Sequence, residues 1–270
     1  MAKGISIHIG LNHVDPAHYE GWDGALNACV ADATDMRALA KKRGFKENLM
    51  LLDEAATASA VTAAIGDAAK TLGKGDLLLL TYSGHGGQVK DRNHEKDEKD
   101  RMDETWVLFD RELVDDELYT LWGKFKPGVR ILTLSDSCHS GTVTKDFRPT
   151  LNGGSRPRFM PRSVAEQVEK AHAALYRRIQ MENKGSEKAR VAASVLLISG
   201  CMDNQTSMDG EHNGAFTGAL KKVWAGGKFK GNYRSFRDKI VAQLPSSQTP
   251  NYYFVGAVNA AFEAQKPFTI

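Results

Sequence analysis

Ile5, Ile7, Ile9 and Leu11 alternate with smaller or polar residues, the period-two signature of a β-strand. Leu26, Val30, Ala33, Met36, Leu39 and Ala40 then recur at helical spacing until Gly44 stops them. Leu49–Leu52 reads as a second short strand, Thr57 as the cap of an Ala-rich helix reaching about Thr71, and Gly73-Lys74-Gly75 as a turn. Three continuous apolar runs follow at 77–82, 129–134 and 194–198. Each is bounded by turn signals, as a strand buried on both faces should be. Strands alternating with helices predict an α/β fold with a mainly parallel sheet covered on both sides.

Between 143 and 191 this pattern lapses into Thr, Lys, Pro, Gly and Arg, interrupted by a helix expected over about Ser163–Asn183. The reading is one domain over 1–270: a larger portion over 1–142, an exposed connector over 143–191 and a smaller portion over 192–270. Charge supports setting the connector apart. The chain carries a formal charge of only +3, yet residues 143–190 hold eleven Lys/Arg against five Asp/Glu. This basic segment has few interleaved aromatics, which argues against nucleic acid as a partner. No run of eighteen apolar residues occurs and no signal-peptide core follows Met1, so the expectation is no membrane partner and a cytoplasmic location. Three cysteines, Cys29, Cys138 and Cys201, with no Cys-x-x-Cys pair, predict neither a disulfide framework nor a thiolate metal site.

Candidate chemistry gathers where two of the apolar runs end, the place where open parallel sheets bind ligands. One run passes into Ser83-Gly84-His85-Gly86-Gly87, the other into Ser135-Asp136-Ser137-Cys138-His139-Ser140-Gly141. If the two strands are neighbours, His85 faces Cys138. A cysteine nucleophile needs an imidazole to take its proton and later protonate the leaving amine, and these two residues supply the pair. The glycines around His85 clear side chains from the approach of a peptide, and the N–H groups of Gly86 and Cys138 are the natural donors to an oxyanion. Cys201, at the end of its own apolar run, reads as a buried core cysteine, and His139 ranks below His85 as the base.

These residues carry a resemblance. Tyr82-Ser83-Gly84-His85-Gly86-Gly87 and Asp136-Ser137-Cys138-His139-Ser140-Gly141 resemble the two catalytic motifs of the metacaspases, within the wider caspase-like clan, and the 53-residue separation of His85 and Cys138 agrees with a caspase-type arrangement. The similarity extends to Cys29-Val30-Ala31-Asp32, to 198–205 and to Gly214-Ala215-Phe216-Thr217. It implies a caspase-like α/β/α sandwich and a thiol peptidase acting on protein or peptide substrates. The Gln-Ala-Cys-x-Gly of caspases proper is absent. In metacaspases the residues matching Cys29, Asp32, Ser83 and Asp136 form the pocket for the residue before the cut bond, P1, so the resemblance implies Arg or Lys there, which carboxylates recognise through charge-assisted hydrogen bonds.

The same resemblance implies no cofactor for the chemistry itself but Ca²⁺ as an activator, through Asp103, Asp115 and Asp116; the fourth acid is out of register, with Lys145 in its place and Asp146 beside it. On composition alone 91–104 reads as a solvated loop. It further implies a monomer. An exposed basic connector is a natural target for an enzyme cutting after Arg or Lys, which makes Arg156, Arg158, Arg162, Lys184, Lys188 and Arg190 candidate self-cleavage sites; Arg177 and Arg178 fall inside the expected helix. The competing reading is a caspase-fold interaction module without catalysis.

Overall fold

The computed structural model describes residues 2–92, 101–138, 156–186, 189–201, 205 and 207–270. Its centre is a six-stranded sheet. The strands β1 (Gly4–Gly10), β2 (Glu47–Leu52), β3 (Leu77–Ser83), β7 (Arg130–Asp136), β8 (Ser194–Ser199) and β9 (Tyr253–Gly256) lie in the order β2-β1-β3-β7-β8-β9. All neighbours pair in parallel except β8 with β9. Alternate residues of the apolar runs serve opposite layers: Leu78 and Leu80 pack with Ile5, Ile7, Ile131 and Val195, while Leu77 and Leu79 pack with Leu132, Leu196 and Ile198. Double-sided burial therefore produces the unbroken runs in the sequence.

Helices α2 (Ala58–Thr71), α3 (Asp115–Trp122) and α4 (Arg162–Glu182) cover the first face, through residues such as Val61, Ile65, Leu121 and Tyr176. The other face is covered by α1 (Cys29–Lys42), α5 (Ala215–Trp224), α6 (Tyr233–Val241) and α7 (Ala260–Ala264), with Met36, Phe216, Trp224 and Phe236 among the buried contacts. Thr57 caps α2 as expected, its hydroxyl accepting from the Ala60 N–H at 3.1 Å. The result is three layers, helices on both sides of a mostly parallel sheet.

A second, antiparallel sheet, β4 (Gly86–Lys90), β5 (Met102–Val107) and β6 (Glu112–Val114), was not foreseen. It corrects the solvated-loop reading of 91–104 at its carboxyl end: Met102–Glu104 pair with β4, and Asp103 is buried. The connector needs a larger correction. Its helix falls where the pattern put it, but residues 158–160 just before that helix are buried rather than exposed.

Candidate active site

Register brings the two polar strand ends together. Ser83 at the end of β3 pairs with Asp136 at the end of β7, so His85 and Cys138, each two residues further on, leave the sheet side by side. The hydroxyl of Tyr82 donates to the carbonyl of His85 at 2.6 Å and lies 3.0 Å from that of Val107, which pins the turn between β3 and β4. His85 Nε2 lies 3.0 Å from the carbonyl of Gly24. Gly24 has a φ of +60°, a conformation glycine adopts at little cost. A carbonyl can only accept, so Nε2 carries the proton and the neutral ring presents a bare Nδ1. Nδ1 has no well-formed hydrogen bond among the described residues.

The chain's own segment 156–160 fills the cleft beside this pair. The carbonyl of Arg158 accepts from the N–H of Gly86 and the N–H of Cys138, both at 3.0 Å. Upstream, the Arg158 N–H donates to the Ser207 carbonyl at 2.9 Å and the Asp209 N–H donates to the Arg156 carbonyl at 2.7 Å, an antiparallel ladder centred on Pro157 and Met208. Pro157 fits because the residue between the two ladder bonds points its nitrogen away from the partner strand. Downstream, the Met160 N–H donates to the Gly86 carbonyl at 2.8 Å. Phe159 packs against Cys138 and Cys201.

The Arg158 side chain is 0% exposed and ends among three carboxylates. Its Nη1 is 3.1 Å from Asp136 and donates to the Ser83 hydroxyl at 2.8 Å; its Nη2 is 2.9 Å from both Asp32 and Asp209. The acids are themselves tied down. Asp136 accepts from the Thr217 N–H (2.9 Å), the Thr217 hydroxyl (2.8 Å) and the Ser207 hydroxyl (2.7 Å), and Asp32 accepts from Ser83, Asn213 and the N–H of Gly214. Gly214 forms the wall over the guanidinium: a Cβ there would sit 2.5 Å from Arg158 Cζ.

Burial dominates the titration of these groups. It lowers the His85 pKa to about 4, against the opposing pull of the Gly24 carbonyl, with Arg158 lowering it further. It also raises Cys138 well above the usual thiol range, helped by the neighbouring Cys201 and opposed by the Ser207 N–H. Asp32 is raised to about 6, burial outweighing the attraction of Arg158. With the cleft filled, burial favours the neutral thiol of Cys138 and the neutral imidazole of His85.

Of the residues singled out in the sequence, His85, Gly86, Cys138, Asp32, Ser83 and Asp136 converge on this cleft. Cys29, at the start of α1, is buried close enough to Arg158 and Asp32 to feel both charges. The sequence reading missed Asp209, Ser207 and the Gly24 carbonyl, and it quoted Gly214 and Thr217 in the resemblance without giving them a role; Asp209 stands in a polar stretch without periodicity. Cys201 is buried as expected, and His139 lies outside the described residues. Among the described residues no group of three or more His, Cys, Asp or Glu side chains is arranged as for a metal ion. Asp103 accepts from Gln180 at 2.7 Å and Asp116 from Ser186 at 3.2 Å, and the Asp115 carboxylate accepts from the Asp116 N–H at 3.1 Å. Lys145 and Asp146 lie outside the described residues. Among the self-cleavage candidates Arg162, Lys184 and Arg190 are exposed, Arg162 opening α4, and Lys188 is not described. Arg156 is also exposed, while Arg158, alone among the described candidates, is buried in the cleft. No helix among the described residues is long and apolar enough to cross a membrane.

Known proteins resemble this chain throughout. A family model described as the caspase domain matches residues 13–260. Metacaspase-1 of Kluyveromyces lactis is 30% identical over 253 residues, covering 80% of this chain and 56% of that protein. Metacaspase-1 of Mycosarcoma maydis is 29% identical over 253 residues, covering 81% and 61%. The chain thus spans little more than half the length of these curated relatives. A crystal structure of a Geobacter sulfurreducens protein superposes with a TM-score of 0.89 at 55% identity, covering 99% of this chain and 98% of that one. Caspase-1 from Spodoptera frugiperda superposes with a TM-score of 0.53 at 10% identity, covering 94% and 86%. That likeness concerns the fold alone: the three layers form a caspase-like α/β/α sandwich.

Proposed function

Because the chain belongs to the caspase-domain family of peptidases, we propose that it is a cysteine endopeptidase that cuts after Arg or Lys and takes its own Arg158–Phe159 bond as a substrate. One observation carries the reading: Arg158 lies in the cleft as a bound substrate would, its carbonyl between two N–H donors and its guanidinium among three acids.

The residues divide the reaction as follows. His85 Nδ1 takes the Cys138 proton, and Sγ attacks the Arg158 carbonyl carbon. The N–H groups of Gly86 and Cys138 hold the oxygen as it becomes an oxyanion, the charge they are placed to stabilise best. The C–N bond then breaks, His85 returns the proton to the Phe159 nitrogen, and a water activated by the same imidazole releases Arg158 from the thioester. Gly24, by accepting from Nε2, keeps the ring in the tautomer that can do this.

In other substrates Arg or Lys would take the place of Arg158, and the P3-to-P1 backbone would pair with Ser207 and Asp209. Incubating the wild type beside Cys138→Ala tests the proposal. Fragments of roughly 17 and 12 kDa, on about 110 Da per residue, should form only in the wild type, and sequencing of the smaller should begin at Phe159. The wild type should also hydrolyse short fluorogenic peptides ending in Arg or Lys and ignore those ending in Asp. Failure on every basic peptide would leave a caspase fold without this activity.

A further inference from the structure

We infer that Asp209 is the specificity-determining residue that makes this pocket select arginine over lysine, an inference that rests on the basic-P1 reading above. The guanidinium is gripped at both tips. On the Nη1 side stand the Ser83 hydroxyl at 2.8 Å, the Asp136 carboxylate at 3.1 Å and the Asp136 carbonyl at 3.2 Å. On the Nη2 side stand Asp32 and Asp209, each at 2.9 Å.

The two acids on the Nη2 side are not equivalent. Ser83 Oγ donates to Asp32 at 2.7 Å while accepting from Nη1, so Asp32 is wired into the Nη1 side as well. Asp32 and Asp209 each touch the guanidinium directly at Nη2, and the link through the Ser83 hydroxyl is what sets Asp32 apart. A lysine ammonium is a single nitrogen, five bonds from Cα where each Nη is six, so it ends near the position of Arg158 Cζ. From there it can donate toward Asp136, Ser83 and Asp32 but cannot occupy both tips. The contact forfeited is the one to Asp209. A planar fork matched to carboxylates on two sides is the arrangement in which arginine and lysine are least interchangeable.

The position of Asp209 also joins side-chain selection to backbone binding. Its own N–H holds the Arg156 carbonyl at 2.7 Å. Its carboxylate accepts from the N–H groups of Asn27 (2.7 Å) and Ala28 (3.3 Å) at the entrance to α1. The strand that reads the peptide backbone is therefore anchored to the helix that supplies Asp32, with the arginine tip between them.

Self-cleavage supplies the substrate for a double-mutant cycle. Rates of fragment formation are measured for the wild type, Arg158→Lys, Asp209→Asn and the double variant, and the processed enzymes are assayed on matched peptides ending in Arg or Lys. The wild type is expected to favour arginine at least about tenfold. Asp209→Asn, which keeps the shape and one acceptor oxygen, should slow arginine cleavage about tenfold more than lysine cleavage, collapsing the ratio. Asp209→Glu, which restores the charge, should recover part of the preference. Equal losses on both substrates would assign Asp209 a structural role and overturn the inference, as would a wild type indifferent between arginine and lysine. A wild type that cuts no basic peptide and leaves its own chain intact fails earlier, at the proposed function, and so is told apart from either result.

Discussion

Gly214 shows how much a single missing side chain decides. Its φ of −60° and ψ of 158° suit any residue, so the requirement for glycine there comes only from the guanidinium: an added Cβ would lie 2.5 Å from Cζ and Nη1 and 2.6 Å from Nη2 of Arg158. Those atoms cannot withdraw, because the three carboxylates hold them. Gly214→Ala should therefore lower kcat/KM on arginine peptides by at least about tenfold and abolish detectable self-cleavage, while the circular dichroism spectrum in the Cys138→Ala background stays that of the folded parent. Undiminished turnover would mean that the P1 side chain of a free substrate does not lie where Arg158 lies. The bare Nδ1 of His85 and the donated Nε2–H are, in the same way, consequences of one carbonyl, that of Gly24.

At the scale of elements, the segment 156–160 behaves as a short strand inserted between Ser207–Asp209 and the start of β4. Its burial is ionic as much as apolar, which sets up a test. Arg158→Gln removes the cation that three buried carboxylates share, and breaking such a buried pairing costs about 3–5 kcal/mol. In the Cys138→Ala background this change should loosen the segment, so that chymotrypsin cuts after Phe159, buried in the parent, many times faster; an unchanged nicking rate would show that the ladder and the Phe159 packing hold the segment without the ion pairs. The same physics explains what could be read from sequence. Runs 77–82, 129–134 and 194–198 were legible because both their faces are covered, and the glycines and polar residues at their ends marked His85, Cys138 and Asp136. The strands β4 to β6 and β9 were not, being short and only partly apolar. Arg156 to Met160 read as exposed because arginine is seldom buried, and nothing local reveals acids at 32, 136 and 209 waiting for it. Asp209 was invisible for the converse reason: its meaning comes from a partner 51 residues away.

For the molecule as a whole, buried titratable groups set the pH dependence of stability, and their signs oppose. His8, His18 and His85 are lowered from 6.5 to about 3, 4 and 4, in each case chiefly by burial. Between pH 6.5 and 4 the unfolded chain binds protons at these sites and the folded chain does not, so their contribution is fully present above pH 6.5 and is lost on acidification. Glu112 runs the other way. Burial raises it from 4.5 to about 8, while Thr105 donates to its carboxyl at 2.5 Å; Asp32 is likewise raised from 3.8 to about 6. These two keep protons that the unfolded chain has released, so their contribution is complete below pH 3.8 to 4.5 and is lost as pH rises through 6 for Asp32 and 8 for Glu112. On the acid side three histidines outweigh two carboxyls. Above pH 6.5 these three histidines are neutral in both states, and of the five groups Glu112 is the one whose folded pKa lies well above that pH. Thermal melts of the Cys138→Ala protein should therefore peak near about pH 6.5, with a slope of about 1.4 kcal/mol per pH unit for each net proton on either flank. Glu112→Gln, which stays neutral throughout and can still hydrogen-bond to Thr105, should flatten the decline between pH 6.5 and 8 and leave the acid flank in place. A decline of the same depth in that variant would place the responsible group elsewhere, and a Tm that keeps rising to pH 8 in the parent would mean that Glu112 ionises in the folded state.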